Sequence, residues 1–399
     1  MKSQHKAGIC IVVENLAVPL DRRVWKEACA LRDAGYRVSV VSPKGRGFTK
    51  SYEELDGIEI YRHSVREGRG VGGYIIEYGW ALAMEFLLTL RIFMRTRFRI
   101  LQACNPPDTI FLIALFFKLF GVRFVFDHHD LCPELFEAKF GRRSGMLYRL
   151  SRFFESCTFR TADISIATND SFKEIATGRG GRKEDKVFIV RNSPDLSKFR
   201  KPAGAEKGKF GRSFLVAYVG FMGSQDGIEL LLESIDELVN VHKRCDTHFV
   251  LVGGGDMLKQ IEAIIATKNL GEYVTMTGQV THDEVAAWLA SADIGVAPDP
   301  KNVLNDNLTM IKILEYMAFS LPVVLYDLKE GRYIADAAAL YAAPNDPADF
   351  ARNISKLLDN DNLRAQLGSI GRKRIEEGLN WDAERRSLLN AYAAAGQAR

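Results

Sequence analysis

The densest chemistry in the chain lies in Asn305-Asp306-Asn307-Leu308-Thr309-Met310-Ile311-Lys312-Ile313-Leu314-Glu315-Tyr316-Met317-Ala318. It follows the apolar run Ile294–Ala297, which reads as a buried strand, and a helix is expected to start near Thr309. A strand, a polar loop and a helix N-terminus together favour an anion. The first-turn N–H groups lack intrahelical partners and carry the positive end of the helix dipole. Lys312 would add a full charge in that turn. Glu315, three residues on, would share its face and offer an acceptor-only carboxylate to paired hydroxyls such as those of a ribose. Ile311, Leu314 and Ala318 are expected to cover the buried side. On pattern alone, a Lys312–Glu315 pair in solvent on an amphipathic helix is the competing reading.

A second polar group is Asp127-His128-His129-Asp130, at the end of the apolar run Arg123–Phe126. Its place at a strand end sends side chains to the carboxyl edge of a sheet. Strand alternation turns adjacent residues to opposite faces, so the group is a poor metal set. No Asp-x-Asp metal motif is recognised either, and metal independence is expected. His129 suits hydrogen bonding to a ligand; a structural hydrogen bond is the other role open to it. Glu134 and Glu137 lie just beyond it. Arg22 and Arg23 open a helix after the loop Glu14 to Asp21. For these residues ligand contact and ordinary surface charge both remain open.

These residues need an alternating α/β frame. Gly8–Val13 reads as a strand buried on both faces, Arg22–Ala34 as a helix ended by Gly35, and Arg37–Val41 as the next strand. The rhythm breaks between Val190 and Phe210, where Lys198–Gly211 is rich in Lys and Gly, and an interdomain linker is placed there. It restarts with strands Phe214–Val219, Phe249–Val252, Val274–Thr277, Ile294–Ala297 and Val323–Tyr326. Gly220 opens the loop after the first of these, and Gly253-Gly254-Gly255 follows the second. The expected domains are 1–195, 196–381 and a C-terminal helix at 382–399 that packs back on the first domain. Two α/β domains in series would form a cleft at the carboxyl ends of their strands.

Composition fits two soluble domains: 399 residues, 47% hydrophobic and 26% charged. Residues 1–200 carry 33 Lys/Arg against 23 Asp/Glu, a net +10, and the remainder 21 against 27, a net −6. A basic first half suits an anionic surface or acceptor. Tyr74 to Met94 is apolar but holds Glu77, Glu85 and Arg91, and central charges cost about 2.5–3.5 kcal/mol each on insertion scales. A spanning helix is therefore not expected. Arg91 to Arg99 interleaves basic and large apolar residues, as a helix lying in an anionic membrane interface does, or as a core helix with a solvated basic end does. No nucleic-acid-binding motif is present, and no signal peptide is expected at the short apolar run after Met1. The six scattered cysteines read as reduced thiols.

Lys312 to Ala318 followed by Pro322-Val323-Val324 resembles the nucleotide-sugar motif of family 4 glycosyltransferases, retaining enzymes of the GT-B fold with two Rossmann-like domains. Further segments resemble that family in order: Asp21-Arg22-Arg23-Val24-Trp25, His129-Asp130 with Pro133-Glu134, Val252-Gly253-Gly254-Gly255, and Ala338-Ala339-Leu340-Tyr341 with Pro344-Asn345-Asp346. The resemblance implies His129 and Lys312 as catalytic residues. It implies donor contacts from Glu315, Thr309, Asn307, Asp306, Gly220 and Gly254, and acceptor-side contacts from Arg22, Asp130 and Glu134. The family's first motif glutamate falls at Asn307, with Asp306 beside it, and its usual Arg and Lys fall at Phe221 and Asp226. Ser320 stands where glycine is common. The implied activity is transfer of a sugar from a nucleotide-diphosphate sugar, UDP favoured, to a lipid-linked saccharide or polysaccharide. The implied location is cytoplasmic, peripheral on the inner face of the plasma membrane, with no cofactor beyond the donor. A catalytically silent subunit and a sugar-nucleotide epimerase are the alternatives.

Overall fold

The computed structural model describes residues 6–397 except 46, 67–69, 141–144, 198 and 200–206; the side chains of 70–75 and 138–140 also lie outside the description. Much of the linker expected at 198–211 falls outside the described residues. Contacts divide the chain into two compact units, one of residues 1–192 with 384–399, the other of residues 193–383.

The strands of the first unit are β1 Lys6–Val12, β2 Tyr36–Pro43, β3 Tyr52–Leu55, β4 Ile58–His63, β5 Ile100–Cys104, β6 Arg123–His128, β7 Ile164–Ala167 and β8 Val187–Ile189. They form one sheet in the order β3-β4-β2-β1-β5-β6-β7-β8. All pairs are parallel except the edge hairpin β3–β4, which the expected all-parallel pattern did not include. The chain runs outward from β1 to β2 and β4, returns through the helix Gly70–Thr96, and continues from β5 on the other side of β1. β1 and β5 are therefore the point where strand order reverses. The helix Arg22–Asp33 is started by Asp21, whose carboxylate accepts from Val24 N–H at 3.0 Å, and Gly35 at φ +89° turns the chain out of it.

The second unit holds β9 Phe214–Val219, β10 Thr247–Val252, β11 Val274–Gly278, β12 Ile294–Ala297, β13 Val323–Tyr326 and β14 Ala339–Ala342, all parallel, in the order β11-β10-β9-β12-β13-β14. Side chains alternate between two apolar layers. Val216 and Tyr218 of β9 pack with Leu231, Phe249, Tyr326 and Phe350, while Leu215, Ala217 and Val219 pack with Val250, Ile313, Leu314 and Val323. Covering both faces is what makes such strands read as unbroken apolar runs. Strand order reverses between β9 and β12.

The C-terminal helix Trp381–Gln397 belongs from Glu384 onward with the first unit. Glu384 accepts from Arg191 N–H at 2.8 Å, Ser387 donates to the Ile189 carbonyl at 2.6 Å, and the Tyr392 hydroxyl donates to Gln102 Oε1 in the core. No helix among the described residues is long and apolar enough to cross a membrane. The six cysteines are free thiols.

Candidate functional site

In the second unit the site forms at the β9/β12 reversal, the place where open parallel sheets leave a crevice at their carboxyl ends. β9 and β12 pair only at Ile294↔Val216 and Gly295↔Ala217, then diverge. Tyr316 fills the divergence: its hydroxyl accepts from Val219 N–H and donates to the Val296 carbonyl, both at 2.9 Å. Gly295 makes room for it, since a Cβ there would stand 2.4 Å from the Tyr316 ring. The loop after β9 lies on the loop after β10. Gly253 has φ +141°, and a Cβ on it would meet the Gly220 carbonyl oxygen at 1.9 Å. Met222 N–H donates to the Gly254 carbonyl at 2.9 Å.

The helix that Tyr316 belongs to is Ile311–Ala318, two residues later than expected: Leu308 is extended, and Met310 precedes the first helical residue without a side-chain cap. Thr309 therefore lies in the approach, and Lys312 is the second helical residue. The expected buried stripe is corrected too. Ile311 is exposed and every other residue of the helix is buried, because the helix Asp361–Glu377 covers its outer side, with Gly371 against Met317 and Arg372 donating to the Ala318 carbonyl at 2.5 Å. Ser320 takes the left-handed turn after the helix at φ +58°, the conformation that favours glycine.

Lys312 is not an unpaired cation. Its ammonium lies 2.7 Å from Asp299 Oδ1, over the Tyr218 ring at 4.9 Å, and both charged side chains are buried. Asp226 is a second acid in its field. Burial pushes the Asp226 carboxyl above the usual range, Asp299 adds to that push, and Lys312 opposes it. Asp226 also accepts from Gly223 N–H at 3.0 Å, closing the turn just after Phe221, a residue 54% exposed that does not seal the loop. Glu315 is buried on the same helix as Lys312. Asp306 and Asn307 form a short turn ahead of it: Asp306 Oδ1 accepts from Lys329 N–H at 2.8 Å, and Asn307 donates to the Val303 carbonyl at 2.8 Å. Sequence reasoning missed Asp299 and Tyr316. An acid two residues past a strand end was the available signal for Asp299.

In the first unit His129 is drawn into a buried network. Its Nε2 lies 2.7 Å from Asp127 Oδ2 and 3.0 Å from Arg23 Nε. One nitrogen cannot both donate to the acid and accept from the guanidinium; the shorter contact to the charged carboxylate prevails. Arg23 grips Asp127 with two nitrogens, at 2.7 and 3.2 Å, and the Val190 carbonyl at 2.7 Å. Against burial, Arg23 and His129 hold Asp127 well below the usual carboxylate range, and Asp127 raises His129 despite its burial. Gln102 ties Asp127 to Glu27. His128 turns the other way, among the rings of Phe126, Phe159 and Phe172, where burial lowers it to about 3. Of the expected acceptor-side residues, Arg22 is exposed, Asp130 is half-buried beside His129, and Glu134 is engaged by Arg179 with two nitrogens. The inward arginine is Arg23.

Residues 20–193 match the model of a glycosyl transferase 4-like domain, and residues 213–360 that of glycosyl transferases group 1. The chain belongs to the family 4-like glycosyltransferases. Curated relatives include an uncharacterized glycosyltransferase of Methanocaldococcus jannaschii, 28% identical over 41% of this chain and 44% of the relative. An alpha-D-kanosaminyltransferase of Streptomyces kanamyceticus is 27% identical over 38% of each. A poly(ribitol-phosphate) alpha-N-acetylglucosaminyltransferase of Staphylococcus aureus is 30% identical over 51% of this chain and 40% of the relative. The chain thus spans less than half the length of these relatives. Its fold is that of GT-B structures: sucrose-phosphate synthase of Thermosynechococcus elongatus superposes with a TM-score of 0.78 at 18% identity, covering 99% of this chain and 100% of the other. HepE of Anabaena in complex with UDP gives 0.71 at 13%, covering 98% and 100%.

Proposed function

We propose that the chain is a retaining glycosyltransferase that takes a sugar from a nucleotide-diphosphate sugar, UDP-sugar favoured, and passes it to a lipid-linked or polysaccharide acceptor. The observation that carries the reading is the Ile311–Ala318 helix, starting beside the β9/β12 reversal with Lys312 and Glu315 on one stretch of it. The diphosphate would lie at its first N–H groups and the ribose at Glu315. As the sugar–phosphate bond breaks, charge grows on the leaving diphosphate, and those N–H groups with Lys312 would stabilise it. Thr309, Asn307, Asp306, Gly220 and Gly254 would complete the donor contacts. His129, with Arg22, Asp130 and Glu134, is assigned to the acceptor-side unit, and no metal is assigned a step. Support also comes from HepE, solved with UDP-glucose.

A second reading, a catalytically silent subunit, rests on one feature: Asp299 already neutralises Lys312, with Asp226 near it. Calorimetric titration with UDP and GDP, followed by NMR of a labelled UDP-sugar with and without acceptor lipid, separates the two. Transfer predicts nucleotide binding and acceptor-dependent turnover. No binding of either nucleotide supports the silent subunit.

The membrane reading has a surface to stand on. Along the helix Gly70–Thr96, Leu87, Arg91 and Met94 form an exposed stripe, and Leu112, Leu115 and Leu119 form another on the helix Phe111–Lys118 and its end. The two helices pack through Phe86, Phe93, Phe116 and Phe117. Arg97, Arg99 and Phe120 line a depression at their ends. Apolar side chains ringed by cations suit an anionic leaflet.

A further inference from the structure

The first unit holds another set of titratable side chains, apart from the His129 network. Glu14 follows β1, His63 closes β4, and Glu85 lies inside the Gly70–Thr96 helix. One ligand atom from each lies within 4.8 Å of the other two. Glu85 is 0% exposed and His63 2%. Neither carboxylate oxygen of Glu85 has a hydrogen-bond partner, nor does Glu14 Oε2 or His63 Nε2. Arg62, next to His63, is committed elsewhere: it donates to the Val18 carbonyl at 3.2 Å and pairs with Glu53 at 2.5 Å. Two adjacent carboxylates, one wholly buried, that face only the imidazole of His63 are an arrangement that proteins resolve by a proton or a metal ion.

The histidine geometry favours the metal ion. His63 Nδ1 lies 3.3 Å from the Ser64 carbonyl oxygen. A carbonyl only accepts, so Nδ1 carries a proton there, and in the neutral imidazole Nε2 then turns its lone pair to the carboxylates. Metal-binding histidines are oriented by this same backbone contact. Nε2 stands 3.3 Å from Glu14 Oε2. Ligands about 2.0–2.1 Å from a tetrahedral ion are separated by about 3.3–3.4 Å, so the observed spacing is that of one tetrahedral edge.

We propose that Glu14, His63 and Glu85 bind one divalent transition-metal cation, Zn2+ or Mn2+, within the first unit. Two carboxylates balance its charge, and the imidazole favours a first-row metal over Mg2+ or Ca2+. The ligands come from the ends of β1 and β4 and from the helix between β4 and β5, so the ion ties that helix to the sheet. Glu14 is 11% exposed and marks the side from which the ion and a completing water enter. The site is independent of the sugar-transfer reading and of the donor residues in the second unit.

The test is calorimetric titration of the full chain, stripped of metal, with ZnCl2 and with MnCl2, beside thermal unfolding with and without each ion. Wild type is expected to bind one ion per chain and to unfold at a higher temperature when loaded. Glu85→Gln and His63→Ala are expected to weaken binding by at least about tenfold and to lose the thermal shift. Glu85→Gln is near-isosteric and removes a buried charge, so it decides the matter alone should His63→Ala not fold. Absence of binding in wild type overturns the proposal and leaves a proton shared by the carboxylates. Binding that persists unchanged in the variants also overturns it, as an ion held elsewhere.

Discussion

Asp226 stands where the family's diphosphate cation is expected, and its carboxyl titrates above the usual range because it is buried beside Asp299, in spite of Lys312. Its neutral form tolerates an anionic ligand, so UDP affinity should fall as pH rises through its pKa. In Asp226→Asn that component should vanish, and binding at pH 8 should be about tenfold tighter than in wild type, roughly 1.4 kcal/mol. Calorimetry of both proteins from pH 5 to 8 checks this, the nucleotide's own titration being common to both. Asp108 carries the same kind of signal for stability. Burial, then Glu155, raise it to about 7, and its Oδ2 has no partner. A carboxyl raised on folding contributes stability that is complete below its unfolded pKa and is lost as pH rises through 7. Asp108→Asn should therefore unfold at higher denaturant than wild type at pH 8, and show no such gain at pH 4. At this scale the sequence named residues better than it named their partners. Lys312, Glu315 and His129 were legible from strand and helix ends, whereas Asp299, Asp127 and Arg23 owe their roles to pairings 13 and 104 residues apart.

Among the elements, the Ile311–Ala318 helix is placed by Tyr316. Removing its hydroxyl would leave the Val219 N–H and the Val296 carbonyl buried at the point where β9 and β12 part. Tyr316→Phe should destabilise the second unit by about 2–4 kcal/mol, from two lost hydrogen bonds and two stranded groups, and should lower nucleotide affinity by disturbing the helix start. Urea unfolding of the variant checks the first part. Strands such as Phe214–Val219 and Ile294–Ala297 were legible because parallel strands covered on both faces are unbroken apolar runs. The edge strand Tyr52–Leu55 was not, since it is short and half exposed. The helix start was placed two residues early because the extended Leu308 and Met310 carry no cap in their sequence. The burial of every residue of the helix but Ile311 comes from Asp361–Glu377, some fifty residues later, which no local periodicity records.

Over the whole molecule, the two α/β units and the basic first half were legible from rhythm and charge, and the return of the C-terminal helix to the first unit rests on contacts such as Tyr392 with Gln102, 290 residues apart. The exposed Leu87, Met94, Leu119 and Phe120 with the arginines around them give a prediction at this scale. The chain should sediment with vesicles rich in phosphatidylglycerol more than with neutral phosphatidylcholine, and less so as salt rises. Reversing Arg91 and Arg99 together (R91E/R99E) should weaken that partitioning by more than about tenfold, at about 1 kcal/mol for each cation lost. The central claim, a diphosphate held where the chain enters the Ile311–Ala318 helix, is tested most directly by crystals of the protein grown with UDP. The account predicts phosphate oxygens within hydrogen-bond distance of the Ile311 and Lys312 backbone N–H groups, with the ribose at Glu315. Phosphates seated elsewhere, or a Lys312–Asp299 pair unchanged beside an empty helix start at saturating UDP, would contradict it.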